Sequence, residues 1–178
     1  MEDDDVKLIH RCLQGEWKAF EKIVERYQKP LFNIALKITN RKDEAQDVAQ
    51  AAFIKAYENL PSFDQKRKFF SWLYRIAINE ALNVRNSRKL SNELSEEISS
   101  QEQEPDEIVH ELQRNQTLEH AVSELSVDYR IVITLRHFQN LSYHEISDVL
   151  QVPEKTVKSR LFTARQQLRD MLIKADLV

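Results

Sequence analysis

A single glycine in 178 residues is the feature that most restricts what this chain can become. Hairpins and tight strand turns rely on residues that accept positive φ, and glycine does so most readily. With one glycine and four prolines, the chain has few such positions. Its apolar residues also recur at i, i+3, i+4 and i+7 rather than in alternation. The expectation is an all-α protein.

The length admits one ordinary domain or two small ones. The periodicity predicts helices over 5–14, 16–27, 30–39, 43–59 and 69–86, with Gly15 at a helix C-terminal position. Pro30 and Pro61 mark expected helix breaks. Composition then shifts. Residues 91–111 hold no lysine or arginine but carry Glu93, Glu96, Glu97, Glu102, Glu104, Asp106, Glu107 and Glu111. With Pro105 and several serines, this stretch reads as an acidic flexible linker. Helices resume over 108–125 and 128–138, and a helix-turn-helix follows. The simplest division is two small helical domains, 1–90 and 112–178, joined by 91–111.

Several function classes are excluded early. Cys12 is the only cysteine, so no intramolecular disulfide framework is expected. His10, Cys12, His110, His120, His137 and His144 show no paired metal-ligand spacing, and no metal or other cofactor is expected. Phosphate cradles need glycine-rich loops, and no serine nucleophile motif occurs. No catalytic residues and no enzyme activity are expected. The acidic start does not suit a signal peptide, and no apolar run approaches the ~20 residues of a membrane span. A cytoplasmic protein without membrane insertion is expected. The formal net charge of −3 gives no sign of a nucleic-acid partner, so the distribution of charge must supply it.

That distribution is uneven in the helix-turn-helix. Ser142 and Glu145 have capping-box spacing ahead of a short helix, 143–150. Gln151 and Val152 form the turn, and Pro153 suits the first position of the next helix. There Val157, Leu161, Ala164 and Leu168 make a buried stripe. Lys155, Ser159 and Phe162 then point outward, flanked by Lys158 and Arg160. A short helix, a tight turn and a longer basic helix match a known major-groove docking geometry. Phe162 among cations suits contact with a thymine methyl or a sugar.

The first domain has two faces that are more than core. On 43–59 the core stripe is Ala45, Val48, Ala49, Ala52, Phe53, Ala56 and Tyr57. Asp47, Gln50 and Ile54 fall on the opposite side with Glu44 nearby, a patch that suits a partner. On 69–86, Phe70, Leu73, Ala77, Ala81 and Val84 make one stripe. Trp72, Ile76, Asn79 and Asn83 make another, amid Lys66, Arg67, Lys68, Arg75, Arg85, Arg88 and Lys89. A helix buried on both sides is one explanation. Capture of single-stranded DNA is the other, because cations track phosphate, aromatics stack and amides bond base edges.

Together the segments Asp43 to Tyr57, Phe70 to Asn79, Leu141 to Ile146 and Thr156 to Arg160 resemble extracytoplasmic-function sigma factors. These form group IV of the sigma-70 superfamily of bacterial RNA polymerase. The resemblance spans nearly the whole chain, in order. It implies a transcription initiation factor, with sigma-2-like and sigma-4-like domains joined by the linker. Core polymerase would be bound at the β′ clamp helices through Glu44, Asp47, Gln50 and Ile54. The −10 element would be melted and held by Ser62, Phe63, Lys66, Trp72, Arg75, Ile76, Asn79 and Asn83. The −35 element would be read by Lys155, Lys158, Ser159, Arg160 and Phe162, with the second domain docked on the β flap. The acidic linker would thread toward the RNA exit path. An anti-sigma factor is a further implied partner, in a stress or envelope response.

Two positions depart from the family pattern: Ala51 stands where glutamate is usual, and Thr163 where arginine is frequent. The runner-up function is a polymerase-independent helix-turn-helix regulator of duplex DNA. A decoy that keeps the fold without melting DNA is the third.

Overall fold

The computed structural model describes residues 2–94 and 111–175, with side chains over 4–91 and 118–175. The first module holds α1 (Glu2–Leu13), α2 (Lys18–Thr39), α3 (Lys42–Asn59), a 3-10 turn at Leu60–Ser62, and α4 (Phe69–Leu94). The second holds α5 (Glu111–Glu124), α6 (Val127–Ile133), a π turn at Thr134–Phe138, α7 (Tyr143–Leu150) and α8 (Glu154–Lys174). No strand occurs among the described residues. The expected linker lies outside the described residues from 95 to 110.

α2, α3 and α4 pack against one another, and α1 lies on α2. Alanines 45, 52 and 56 on α3, with 77 and 81 on α4, are fully covered and let the axes approach closely. Ile23, Leu31, Ile34, Ile38 and Leu73 fill the space between them. The buried Asp5 carboxylate accepts from Tyr27 Oη and Arg26, which ties α1 to α2. Burial and that hydrogen bond push the Tyr27 hydroxyl well above its ordinary pKa. In the second module Val122, Leu125, Leu135, Ile146, Val149, Val157 and Leu161 form the core.

With glycine scarce, other residues take the left-handed turns. Asn40 (φ 60°), Asn140 (φ 56°) and Gln151 (φ 54°) sit there beside Gly15 (φ 91°). Asn40 and Gln151 end α2 and α7, where a left-handed residue lets its amide close the last turn.

Four expectations need correction. Pro30 does not break a helix: α2 runs through it. The lost hydrogen bond and clash, about 3 kcal/mol, are offset by buried Ile23 and Tyr27 before the proline and Leu31 and Ile34 after it. α4 continues to Leu94, because nothing after Asn86 is a helix breaker. The helix expected over 128–138 ends in a π turn, where the Thr134 hydroxyl donates back to the Arg130 carbonyl at 2.8 Å. Tyr57, expected in the core, is 48% exposed, because it lies at the end of α3 and packs edge-on against Phe20.

Candidate nucleic-acid interface

The helix-turn-helix forms as its local chemistry dictates. The Glu145 amide donates to Ser142 Oγ at 3.2 Å, and the Ser142 amide to Glu145 Oε2 at 2.8 Å. This reciprocal cap fixes where α7 begins. Ser147 Oγ donates to the Val152 carbonyl and closes the turn. Pro153 sits one position earlier than expected, as the cap of α8, and its carbonyl accepts from Thr156 and Val157. Val157, Leu161 and Ala164 are buried, while Leu168 is half-buried.

The opposite side of α8 faces solvent. Lys155, Lys158 and Ser159 are exposed, and Phe162 is 66% exposed. A phenylalanine this open on a well-packed helix adds no core energy. Two of the cations have protein partners. Arg160 pairs with Asp128 of α6 at 2.8 Å, and Lys158 lies 3.6 Å from Glu154. Neither carboxylate was singled out in the sequence, and Asp128 lies on a different helix, so spacing gave no signal for it.

The first module builds a different surface. Phe63 is buried, with ring centroids 5.5 Å from Phe69 and 5.0 Å from Trp72. It was expected on the strand-capturing face; instead it anchors the loop that leads into α4. Asp64 shapes that loop: its side chain accepts from the Lys66 amide and its carbonyl from the Arg67 amide. Ser62 is exposed and donates to the Asn59 carbonyl at 2.8 Å, while Lys66 and Arg67 are exposed. Trp72, Arg75 and Ile76 are half-buried, and Asn79 and Asn83 are exposed one and two turns further along α4. The face therefore grades from an aromatic floor to open carboxamides.

On α3, Asp47, Gln50 and Ile54 are exposed together, with Ile54 at 51%. Glu44 is not part of that open patch. Both its oxygens lie 2.9 Å from Arg88 Nη1, and Arg88 also donates to the Thr39 carbonyl at 3.0 Å. Beside the patch, Trp17, Phe20, Val24 and Tyr57 line a shallow apolar groove rimmed by Glu21 and Glu25. The sequence had not flagged this groove.

No cluster of metal-ligating side chains occurs among the described residues, and no described helix is long and apolar enough to cross a membrane.

Comparison with known proteins finds a family match in each module. The family model for sigma-70 region 2 matches residues 23–90, and that for sigma-70 region 4 matches 115–168. The chain is 34% identical to the RNA polymerase sigma-H factor of Pseudomonas aeruginosa, covering 94% of this chain and 93% of that protein. It is 34% identical to the ECF RNA polymerase sigma factor SigW of Bacillus subtilis, over 93% and 95% of the two. The ECF RNA polymerase sigma-E factor of Escherichia coli K12 is also 34% identical, over 92% of each. CnrH, solved in complex with the cytosolic domain of CnrY, superposes with a TM-score of 0.74 at 26% identity, over 97% of this chain and 99% of that one. The sigma factor RpoE of Bartonella quintana, solved with the anti-sigma factor NepR, gives 0.74 at 26% identity, over 87% and 97%. Both region 2 and region 4 are thus present in one helical chain that matches its relatives almost end to end: it belongs to the extracytoplasmic-function sigma factors of the sigma-70 family.

Proposed function

We propose that the two modules divide promoter recognition along the surfaces described above. The α8 face, with Lys155, Lys158, Ser159, Arg160 and Phe162, reads the −35 element in the major groove. The loop Ser62–Lys66 and the Trp72, Arg75, Ile76, Asn79, Asn83 face opens and holds the −10 strand. Asp47, Gln50 and Ile54 engage the polymerase β′ clamp helices, and the second module docks on the β flap. An anti-sigma factor holds the protein in check. The protein acts in the cytoplasm and is not an enzyme; the bond-making belongs to the polymerase.

One observation carries this reading. An exposed basic helix behind a capped turn shares a chain with a half-buried tryptophan beside exposed asparagines. Unstacking a base costs a few kcal/mol, which a stacking platform and a carboxamide offset by holding it. Dividing recognition between two weak modules makes occupancy depend on a scaffold that holds both at the right spacing. A regulator of duplex DNA alone has no use for the strand-holding face.

Run-off transcription with purified core polymerase tests the proposal. A promoter-dependent transcript is expected, and its absence removes the reading. Asn79→Ala with Asn83→Ala is expected to impair opening on duplex but much less on a pre-melted promoter. Equal loss on both templates removes the −10 assignment.

A further inference from the structure

A histidine bridges the two helices of the helix-turn-helix. His144 is the second residue of α7, and its side chain is 72% exposed. Its Nε2 lies 3.7 Å from Asp148 Oδ2, one turn further along α7. Its Nδ1 lies 3.3 Å from Oε1 of Glu154, the first residue of α8. The other oxygen of Glu154, Oε2, lies 3.6 Å from Lys158 Nζ. One carboxylate is therefore shared between an imidazole that can take up a proton and a lysine of the proposed −35 face.

The neighbouring charges leave Glu154 as the point of exchange. α7 packs against α8, the π turn and α4. From the π turn, the Arg136 guanidinium lies 5.2 Å from the Tyr143 ring centroid, and Lys158 Nζ lies 5.9 Å from the same centroid. From the α4 side, Lys68 pairs with Glu145 at 3.1 Å. The charges within reach of the His144 ring are Asp148 and Glu154. With a neutral imidazole, these two negative charges meet one positive charge on Lys158, so the cluster carries −1. A protonated imidazole brings it to zero.

These ion pairs are open to solvent and add little to stability. Their consequence is for what α8 offers to DNA. A recognition helix contacts base edges with its N-terminal residues, while the helix before it crosses the backbone. Glu154 and His144 stand at the starts of those two helices. A carboxylate there repels phosphate and holds the Lys158 ammonium back from it. Imidazoles change charge between pH 5 and 8, and a nearby phosphate favours the charged form.

We propose that His144 sets the strength of −35 binding: on taking up a proton it draws Glu154 away from Lys158 and frees that ammonium for DNA. Binding is linked to proton uptake and tightens as pH falls. The inference rests on the −35 assignment proposed above.

Holoenzyme assembled from the full chain and core polymerase tests it. Affinity is measured at about pH 7.5 and about pH 6, on either side of the ordinary histidine value. The probes are the promoter used for run-off transcription and the same promoter with a scrambled −35 element. All values are taken relative to the double variant His144→Gln with Glu154→Gln, which carries any pH response of the polymerase itself. Wild-type affinity for the intact promoter should rise roughly fivefold at the lower pH, the size of one screened charge contact. His144→Gln should keep the weak value at both pH values, and Glu154→Gln the tight value at both. The second variant gains affinity, which damage to the fold would not produce.

His137 supplies the control. It lies 3.4 Å from Arg165 of α8, and burial holds its pKa below the ordinary histidine value. His137→Gln should leave the response intact. A wild type with no response overturns the inference. So does a response that persists in Glu154→Gln, or one that disappears in His137→Gln. Equal wild-type affinity for the intact and scrambled promoters removes the −35 assignment itself, and the inference with it.

Discussion

The two surfaces proposed to face DNA are built on opposite principles. The α8 face is a convex, exposed helix surface whose cations are already steered by Asp128 and Glu154. The α4 face is half-buried only at its aromatic end, with Phe63 and Phe69 supporting Trp72 and the exposed carboxamides of Asn79 and Asn83 further along. Reading a duplex requires a rigid projection into a groove that is already there. Holding an unpaired strand requires a pocket that competes with base stacking. The first needs local geometry, and the second needs several elements brought together.

The largest expected effect comes from the core beneath α8. Leu161→Ala should destabilise the second module by roughly 2–5 kcal/mol, since its side chain is fully buried beneath the α8 face. Calorimetry should show this loss, and −35 binding should fall with it. If −35 affinity survives at a temperature where the module has melted, α8 is not the reading helix.

Next in size is the proposed strand-holding platform. Trp72→Ala removes a stacking surface worth about 1–3 kcal/mol per base. Opening on duplex promoters, followed by permanganate footprinting, should drop, while binding to an isolated −35 duplex should not change. Loss of both would mean that Trp72 acts through the fold.

A subtler contrast concerns Arg160 and its partner. Arg160→Ala should weaken −35 binding by about 1–3 kcal/mol in gel-shift titrations if it contacts a base edge. Asp128→Ala should change it by less than about 1 kcal/mol, because the ion pair is solvent-accessible. A larger effect at Asp128 would make the guanidinium's orientation the deciding factor.

The smallest expected effect depends on pH. Burial raises the Glu145 carboxyl, but the Ser142 amide and the Lys68 ammonium outweigh it and hold the group below the usual carboxylate range. The folded form therefore binds this proton less readily than the unfolded form. Its stabilisation is fully present above the ordinary value near 4.5 and is lost as pH falls through the lower folded value. Glu145→Gln should flatten that part of the acid-unfolding curve, and an unchanged curve would remove Glu145 from the linkage.

Much of the second module was legible from its residues, because its signals are local. Ser142 with Glu145 announced the start of α7, and the α8 stripe named its buried side. Local signals failed where packing overrode them. Pro30 is a breaker by its own chemistry, yet it lies inside α2. Phe63 looked like a strand-facing aromatic, but only the fold brings Phe69 and Trp72 around it. Glu44 sat on the right helix for a partner patch until Arg88, 44 residues later, claimed its carboxylate.

The sequence by itself determined the helical class, since near-absence of glycine and 3.6-residue periodicity act within single segments. It also marked the two surfaces, because helical spacing decides which side chains share a face. The tertiary structure alone decided how the modules meet. Arg130 precedes the apolar run Ile131–Ile133 and nothing nearby marks its partners, whereas its acceptors at Lys37 and Asn40 lie 93 and 90 residues earlier. Hydrogen bonds between distant segments leave no periodic trace in a chain, so only folding revealed that one module caps a helix of the other.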